Sequence, residues 1–142
     1  MQPMTEQETL EFLAAGTRTA KLATVRDDGR PHVAPIWFVL DDDGVLVFTT
    51  GATSAKGRAL QRHTAVCLCV DDETPPFAFV MLDGTAETSE DPTALLDWAT
   101  RIGARYMGAD RAEEYGRRNG GPGELLVRVT PNRIVARARI AD

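Results

Sequence analysis

The residues best suited to chemistry lie in one short segment, residues 49–58 (TTGATSAKGR). An apolar run ends there in two threonines, small residues follow as a turn, and a helix is predicted to begin near Thr53 or Ser54. Lys56 then falls in the first turn or so of that helix, where a cation opposes the helix dipole at a cost of about 0.3–1 kcal/mol. A bound anion would reverse the sign of that effect, because free backbone N–H groups, hydroxyls and cations would all contact it.

Phosphate is the natural candidate for such an anion. The side chains that the segment offers to it are those of Thr49, Thr50, Lys56 and Arg58. The alternative is an ordinary solvated helix whose basic residues pair with nearby carboxylates, such as those of Asp71 or Asp72. The residues alone leave both interpretations open.

A second signal is the pair Pro35 and Trp37 within the apolar run 32–40 (HVAPIWFVL). Proline has no N–H to donate to a sheet, so it is expected at an edge or a bulge, where backbone groups can face a ligand. Trp37 lies two residues further on, on the same side of the strand, and could cover a planar ring. The alternative is a core tryptophan beside a kink in the strand.

Other chemical motifs are missing from the chain. The glycines follow neither the dinucleotide-binding nor the P-loop spacing, and there is no G-x-S-x-G motif. The two histidines and the C-x-C pair do not have the spacing of a zinc site. We therefore predict no metal site and no catalytic side chain, so that in an enzyme a bound cofactor would carry the reactive chemistry.

The composition limits the classes of protein to consider. The 142 residues fit one domain, residues 1–142, and the net charge of −5 argues against a nucleic-acid partner. No apolar run approaches the roughly 20 residues of a membrane span. Cys67 and Cys69, two apart on one predicted strand, are poorly placed for a disulfide. Together with an N-terminus that lacks a signal-peptide pattern, this predicts a cytoplasmic protein.

The elements that would position these residues are mostly short strands. Helices are predicted over residues 6–15, 92–107 and 110–118, besides the short helix after residue 53. Strands are predicted over residues 19–25, 32–40, 45–50, 64–70, 77–87 (with a bend or bulge near Gly84), 124–130 and 133–140. Short strands joined by tight turns favour an antiparallel barrel with peripheral helices, mainly β, over a parallel doubly wound sheet.

Three stretches of the chain resemble a known family. They are residues 24–38 (TVRDDGRPHVAPIWF), 47–58 (VFTTGATSAKGR) and 75–87 (PPFAFVMLDGTAE). They resemble the pyridoxamine 5′-phosphate oxidase-like superfamily, whose fold is the FMN-binding split β-barrel. The resemblance is greatest to the flavin and deazaflavin oxidoreductases that use coenzyme F420, a phosphate-bearing 5-deazaflavin with a polyglutamate tail. It extends over about residues 6–138.

The resemblance implies a homodimer in which each cofactor lies in a groove between two barrels. The segment that binds the phosphate is matched by Thr49, Thr50, Ser54, Ala55, Lys56 and Arg58. The strand that flanks the deazaflavin ring is matched by Pro35, Ile36 and Trp37, and further positions that line the groove are matched by His32 and Val33. Some relatives carry an arginine where Ser54 stands, which puts one phosphate contact in doubt.

The implied activity is hydride transfer from reduced F420 to a small conjugated or quinone-like acceptor. The protein would supply orientation and desolvation, since the family has no invariant acid or base that maps onto this sequence. Two alternatives stay open: an FMN-dependent reductase or oxidase on the same fold, and a non-enzymatic protein that binds a cofactor or a tetrapyrrole.

Overall fold

The computed structural model describes the whole chain, Met1–Asp142. The strands are β1 (Gln2–Pro3), β2 (Ala20–Val25), β3 (Pro31–Ile36), β4 (Val39–Leu40), β5 (Leu46–Gly51), β6 (Ala65–Asp72), β7 (Ala78–Ser89) and β8 (Glu124–Ala138). The helices are α1 (Glu6–Ala14), α2 (Ala55–Arg62), α3 (Pro92–Met107) and α4 (Ala112–Asn119), with a 3₁₀ turn at Ala109–Arg111 before α4. None of the helices combines the length and the apolar character that crossing a bilayer requires.

Local capping signals place the helix starts where the sequence predicts them. Thr5 accepts a hydrogen bond from the Glu8 amide at 3.1 Å, so α1 begins at the next residue, Glu6. Asp91 does the same for α3 through the Ala94 amide, and Pro92 occupies the first helical position. The other helix ends differ from the prediction by one turn or less: α1 stops at Ala14, α2 begins at Ala55, and α4 extends over Ala112–Asn119 after a 3₁₀ turn.

All strand pairings are antiparallel, which confirms the predicted fold class. The order across the sheet is β3-β2-β6-β7-β8-β5-β4, and β1 also pairs with β8. The prediction of two closing strands joined at Pro131 and Asn132 is wrong, because β8 is one continuous strand. Opposite it, Asp83 pairs with Arg133 but Gly84 pairs with Pro131. Asn132 is therefore the extra residue of a bulge, and the strand bends there without ending.

The predicted strand 32–40 is also divided by the structure. Its first part, β3, lies at one edge of the sheet, and its last part, β4, lies at the other edge. Only Trp37 and Phe38 separate the two strands, and three residue steps span at most about 11 Å. The two edges must therefore lie close together, so the sheet curls into a barrel that is split at this point.

The strand breaks at Phe38 because helix α3 binds its backbone. The Phe38 amide donates to the Tyr106 hydroxyl at 3.2 Å, and the Phe38 carbonyl accepts from Arg105 at 2.7 Å. The Phe38 side chain is fully buried in the barrel. In a continuous strand, the amide and carbonyl of Phe38 would form hydrogen bonds with a neighbouring strand. Here two side chains of α3 form these hydrogen bonds instead.

The interior of the barrel holds most of the core. Eighteen buried apolar residues form one cluster there, to which α1 contributes Leu13 and α2 contributes Leu60. A smaller cluster lies outside the barrel, where Leu95 of α3 packs on Val47 and Leu126 of the sheet. The barrel therefore has α3 on the outside of its β5–β8 portion.

The opposite portion of the sheet presents an outer face that no helix fills. One row of cross-strand partners on this outer face consists of Pro35, Lys21, Cys69, Met81 and Val135, on β3, β2, β6, β7 and β8 respectively. Met81 is 41% exposed, and the neighbouring Val33 is 68% exposed. Lys21 is the charged member of this row, and the neighbouring rows add Asp71, Asp83, Arg133 and Arg137, so the outer face mixes apolar and charged side chains and is accessible in the single chain.

Candidate functional site

The two segments that the sequence singles out meet in one cleft of about 320 Å³. We call it the β5–α2 cleft, because the end of β5 and the start of α2 form its floor. The residues that line it are Pro35, Ile36, Trp37, Thr49, Thr50, Gly51, Lys56, Ile102, Asn119 and Glu124. Six of these ten are site residues predicted from the sequence.

The split in the barrel brings the two segments together. Val39 of β4 pairs with Val47 of β5, so the chain that leaves β3 runs directly beside β5. Trp37 lies two residues before Val39, and Thr49 lies two residues after Val47. The cleft is therefore a product of the same crossing that divides the predicted strand 32–40.

The start of α2 is built as a capped N-terminus. The Ser54 hydroxyl oxygen accepts from the Gly57 amide at 3.0 Å and donates to the Gly51 carbonyl at 2.8 Å, while Thr50 Oγ1 lies 3.2 Å from it. The first helical hydrogen bond runs from the Arg58 amide to the Ser54 carbonyl at 2.9 Å. The Ala55 and Lys56 amides precede that bond, so they remain available to an anion.

The turn before α2 packs very closely on the helix. A Cβ at Gly57 would overlap the carbonyl oxygen of Gly51, so only glycine fits at this position of α2. This close approach keeps the cap residue Ser54 and the cleft residue Thr50 within hydrogen-bonding distance of each other. The small residues of the segment are thus needed for the geometry of the turn.

Lys56 points into the cleft and forms no ion pair. The carboxylates suggested as its alternative partners are already used, because Asp71 pairs with Lys21 at 2.9 Å and Asp72 pairs with Arg18 at 3.2 Å. That alternative interpretation is wrong for Lys56, whose charge is free for a ligand.

Arg58 lies on another side of α2. Residues two apart on a helix do not face the same direction, whereas residues three apart do. Arg58 accordingly shares with Ala55 a separate cavity of about 390 Å³, which Arg26 and Arg62 also line. The structure therefore brings Lys56 to the two threonines and places Arg58 elsewhere.

Trp37 is half-buried and held by aromatic side chains of the helices. Its ring stacks on Tyr106 with centroids 4.9 Å apart and planes 2° from parallel, and Tyr115 packs against it at 5.7 Å. Burial raises the pKa of Tyr106, whose hydroxyl donates to the Arg18 carbonyl at 2.8 Å. Trp37 thus lines the cleft as part of a rigid aromatic stack.

Five of the predicted site residues do not line the cleft within a single chain: Ser54, Ala55 and Arg58 of the segment 49–58, and Val33 and His32 of β3. Val33 points to the outer face of the sheet, where it is largely exposed. His32 points to the other side of β3, opposite Thr24, and its Nδ1 atom is buried without a hydrogen-bond partner.

Four residues of the cleft were not predicted as site residues: Gly51, which lies within the segment 49–58, and Ile102, Asn119 and Glu124, which lie elsewhere in the sequence. Glu124 opens β8 and pairs with Gly51, which sets its side chain beside the segment 49–58. Burial raises the pKa of the Glu124 carboxyl, and the Lys56 charge acts in the opposite direction. The glycine-rich stretch 119–123 indicates a loop, but nothing in the sequence shows where that loop lies in space.

The cleft is suited to non-covalent binding of a molecule with a phosphate at one end and an apolar ring system at the other. Hydroxyls, backbone amides and one lysine lie on the side of β5 and α2. Pro35, Ile36 and Trp37 supply the apolar side. The lining residues include no histidine, cysteine or serine that would form a nucleophile with its base.

The chain is similar to one known protein family and to several solved structures. The sequence pattern of the family described as pyridoxamine 5′-phosphate oxidase matches residues 5–138. No curated protein sequence matches the chain. Among solved structures, a conserved hypothetical protein from Mycobacterium tuberculosis is 28% identical with a TM-score of 0.84, over 96% of this chain and 86% of that one.

Two further solved structures are similar to the chain. An F420 reductase is 28% identical with a TM-score of 0.68, over 87% of this chain and 94% of that one. The heme storage protein HutZ from Vibrio cholerae is 21% identical with a TM-score of 0.72, over 92% of this chain and 94% of that one. At that level of identity, HutZ shows a shared fold alone.

Proposed function

The chain belongs to the pyridoxamine 5′-phosphate oxidase family, and we propose that it is an oxidoreductase that uses reduced coenzyme F420 to reduce a small conjugated or quinone-like acceptor. The observation that carries the proposal is the β5–α2 cleft, in which Lys56 and two threonines face an apolar wall that contains Trp37. Similarity to an F420 reductase at 28% identity supports the choice of coenzyme.

The residues present fit the phosphate of such a coenzyme. Lys56 provides the charge, the Ala55 and Lys56 amides provide helix N-terminal donors, and Thr49 provides a hydroxyl. Ser54 acts through the cap and through its contact with Thr50, rather than as a free ligand. The proposed phosphate site is therefore centred on Lys56, and Arg58 lies outside it.

The chain's own contribution to the reaction is binding, orientation and exclusion of water. The bound deazaflavin supplies the hydride. Pro35, Ile36 and Trp37 hold the ring side of the cleft in place, and the stack of Trp37 on Tyr106 keeps that wall rigid. No general acid or base from the cleft is required for this proposal.

We also propose that two copies of the chain form the complete site. The cleft of about 320 Å³ lies at the small end of the roughly 300–1,000 Å³ that cofactor pockets occupy. The uncovered outer face, with Met81 and Val33 exposed, continues from the cleft through Pro35. A second chain on this face would extend the cleft into a groove between two barrels.

The test is a fluorescence titration of the purified protein with F420 and, separately, with FMN. Micromolar or tighter binding of F420 with little binding of FMN is the expected result, and acceptor reduction by reduced F420 would then be screened. Preference for FMN would assign the protein to the FMN-dependent reductases or oxidases of this fold. Tight binding of F420 without turnover of any acceptor would leave a cofactor-binding protein, and binding of neither compound would overturn the proposal.

A further inference from the structure

Glu124 is the second charged residue of the β5–α2 cleft, beside Lys56. Its side chain is half-buried and makes no hydrogen bond or ion pair within the chain. A carboxylate only accepts hydrogen bonds, so this group can accept one from a donor of a ligand in the cleft. Partial burial raises its pKa, and the nearby Lys56 charge acts in the opposite direction.

The backbone holds Glu124 beside the proposed phosphate site. Glu124 pairs with Gly51 at the end of β5, and its own amide donates to the Gly121 carbonyl at 3.2 Å. The preceding Gly123 carbonyl accepts from the Ala52 amide at 2.9 Å. The end of β5 and the turn before α2 are therefore tied to the backbone at Glu124 and at the residue before it.

A carboxylate in this position opposes a phosphate, because like charges in one cleft repel each other. A site evolved for a bare anion would not place an unpaired glutamate next to its only lysine. Lys56 and Glu124 together offer one positive and one negative group, which fits a ligand that carries both an anionic group and hydrogen-bond donors.

We propose that Glu124 determines ligand specificity: its carboxylate accepts a hydrogen bond from a hydroxyl or N–H group of the cofactor, and it disfavours phosphate anions that bring no donor. This inference rests on the proposed function, since the polyol chain between the phosphate and the ring of a flavin-type cofactor carries such hydroxyls. Lys56 then selects for the phosphate, and Glu124 selects for the polyol.

The experiment compares Glu124→Ala with the unaltered protein on two probes. One probe is the deazaflavin with its polyol chain but without phosphate, and the other is inorganic phosphate, measured as a competitor of F420. We expect Glu124→Ala to bind the dephosphorylated deazaflavin about tenfold more weakly, through loss of a charge-assisted hydrogen bond. It should bind inorganic phosphate several-fold more tightly, because the repulsion between the Glu124 carboxylate and the phosphate is gone. Opposite changes on the two probes cannot come from a general loosening of the fold.

Two control variants complete the design. Lys56→Met should bind phosphate more weakly, and its affinity for the dephosphorylated deazaflavin should change little. Glu73→Ala removes an equal charge from an exposed position that does not line the cleft, and both affinities should stay as in the unaltered protein. If Glu124→Ala does not fold, Glu124→Gln keeps the shape and one acceptor oxygen, and it should still bind phosphate more tightly.

The failures of the two proposals are distinguishable. Suppose that the unaltered protein binds F420 or FMN, but that in Glu124→Ala the affinities for the two probes change in the same direction or do not change. The role of Glu124 is then overturned, and the proposed function stands. If the unaltered protein binds neither F420 nor FMN, the proposed function is overturned, and this inference with it.

Discussion

At the scale of single residues, α2 separates two charges that lie two positions apart in the sequence. Lys56 faces the cleft, whereas Arg58 faces the cavity that it shares with Arg26 and Arg62. The sequence shows two cations near a helix start, but the turn of the helix decides which of them can reach a ligand on β5. Substitutions at the two positions should therefore differ in effect.

We expect Lys56→Met to raise the dissociation constant of F420 by about 10- to 100-fold, since hydrogen bonds of charged groups contribute roughly 1.5–3 kcal/mol. Arg58→Met should have a clearly smaller effect. Fluorescence titration measures both, and Arg101→Met, which removes a surface ion pair with Asp97, serves as the control. An equal loss of affinity in the Lys56 and Arg58 variants would contradict the placement of the phosphate beside Lys56.

Glu124 should also leave a signature in the pH dependence of stability. Its pKa is raised in the folded chain, so the folded state holds the proton more tightly than the unfolded state does. Its contribution to stability is therefore fully present below the ordinary carboxyl pKa of about 4.3 and is lost as the pH rises through the folded pKa. Glutamine has no ionisable side chain, so the Glu124→Gln variant lacks this contribution to the pH dependence.

The measurement is the free energy of unfolding in urea for both proteins between about pH 4 and pH 7. We expect the stability of the unaltered protein to fall relative to that of Glu124→Gln as the pH rises. A difference that stays constant over this range, or that changes in the opposite direction, would show that Glu124 is well solvated.

At the scale of secondary-structure elements, α3 determines where the barrel splits. The Arg105 guanidinium donates to the carbonyls of Phe38, Leu13 and Gly16 at 2.7–3.0 Å, and so ties the end of α1 and the crossing from β3 to β4 to one helix. Burial lowers the pKa of Arg105 from its usual value. A charged group held in this way satisfies several backbone acceptors at once.

Arg105→Met should destabilise the protein by at least about 2 kcal/mol, because hydrogen bonds of a charged donor are lost and the carbonyls stay partly buried. Urea unfolding measures the effect. Arg101→Met, one turn earlier on α3, removes an exposed ion pair with Asp97 and a contact with the Trp98 ring, and it should cost less than about 1 kcal/mol. Similar losses in the two variants would mean that the carbonyl contacts of Arg105 contribute little.

The sequence predicts the elements whose boundaries are set locally. Thr5 and Asp91 cap their helices through residues three positions away, and Ser54 does so at α2. The break at Phe38 could not be predicted, because its cause lies 67 and 68 positions away, in Arg105 and Tyr106.

The same distinction applies to the candidate site. Lys56 and the threonines belong to one contiguous segment, and Pro35 and Trp37 belong to another, so residue type and spacing identify both. Glu124 enters the cleft only through its pairing with Gly51, which no local pattern encodes. A glutamate at the start of a strand has the appearance of a solvated residue until the partner strand is known.

At the scale of the whole molecule, the outer face of the sheet is the surface on which the proposed dimer depends. Met81 lies in the middle of the row that runs from Pro35 to Val135, and it is exposed in the single chain. The proposed function requires a second chain to cover this row and to complete the groove.

Met81→Glu should therefore give a monomer in sedimentation velocity experiments, because the added carboxylate would be buried between the two chains and would lose its contact with water. F420 should bind more weakly to this monomer, since one wall of the groove is lost. Leu96→Glu makes a similar change at a leucine of α3 that is 46% exposed and lies away from the outer face, and it should leave the oligomeric state unchanged. A monomeric unaltered protein that binds F420 fully would contradict the proposed dimer.

The position of β8 has a consequence for how the chain folds during synthesis. β8 leaves the ribosome after every strand with which it pairs, yet it lies between β7 and β5 and joins the two parts of the sheet. β2, β3, β6 and β7 can pair as soon as they emerge, but β4 and β5 have no link to them until residues 124–138 are available. The nascent chain therefore carries an open sheet edge on β7 for the time needed to translate some fifty residues, and this edge is the surface that a chaperone would have to shield.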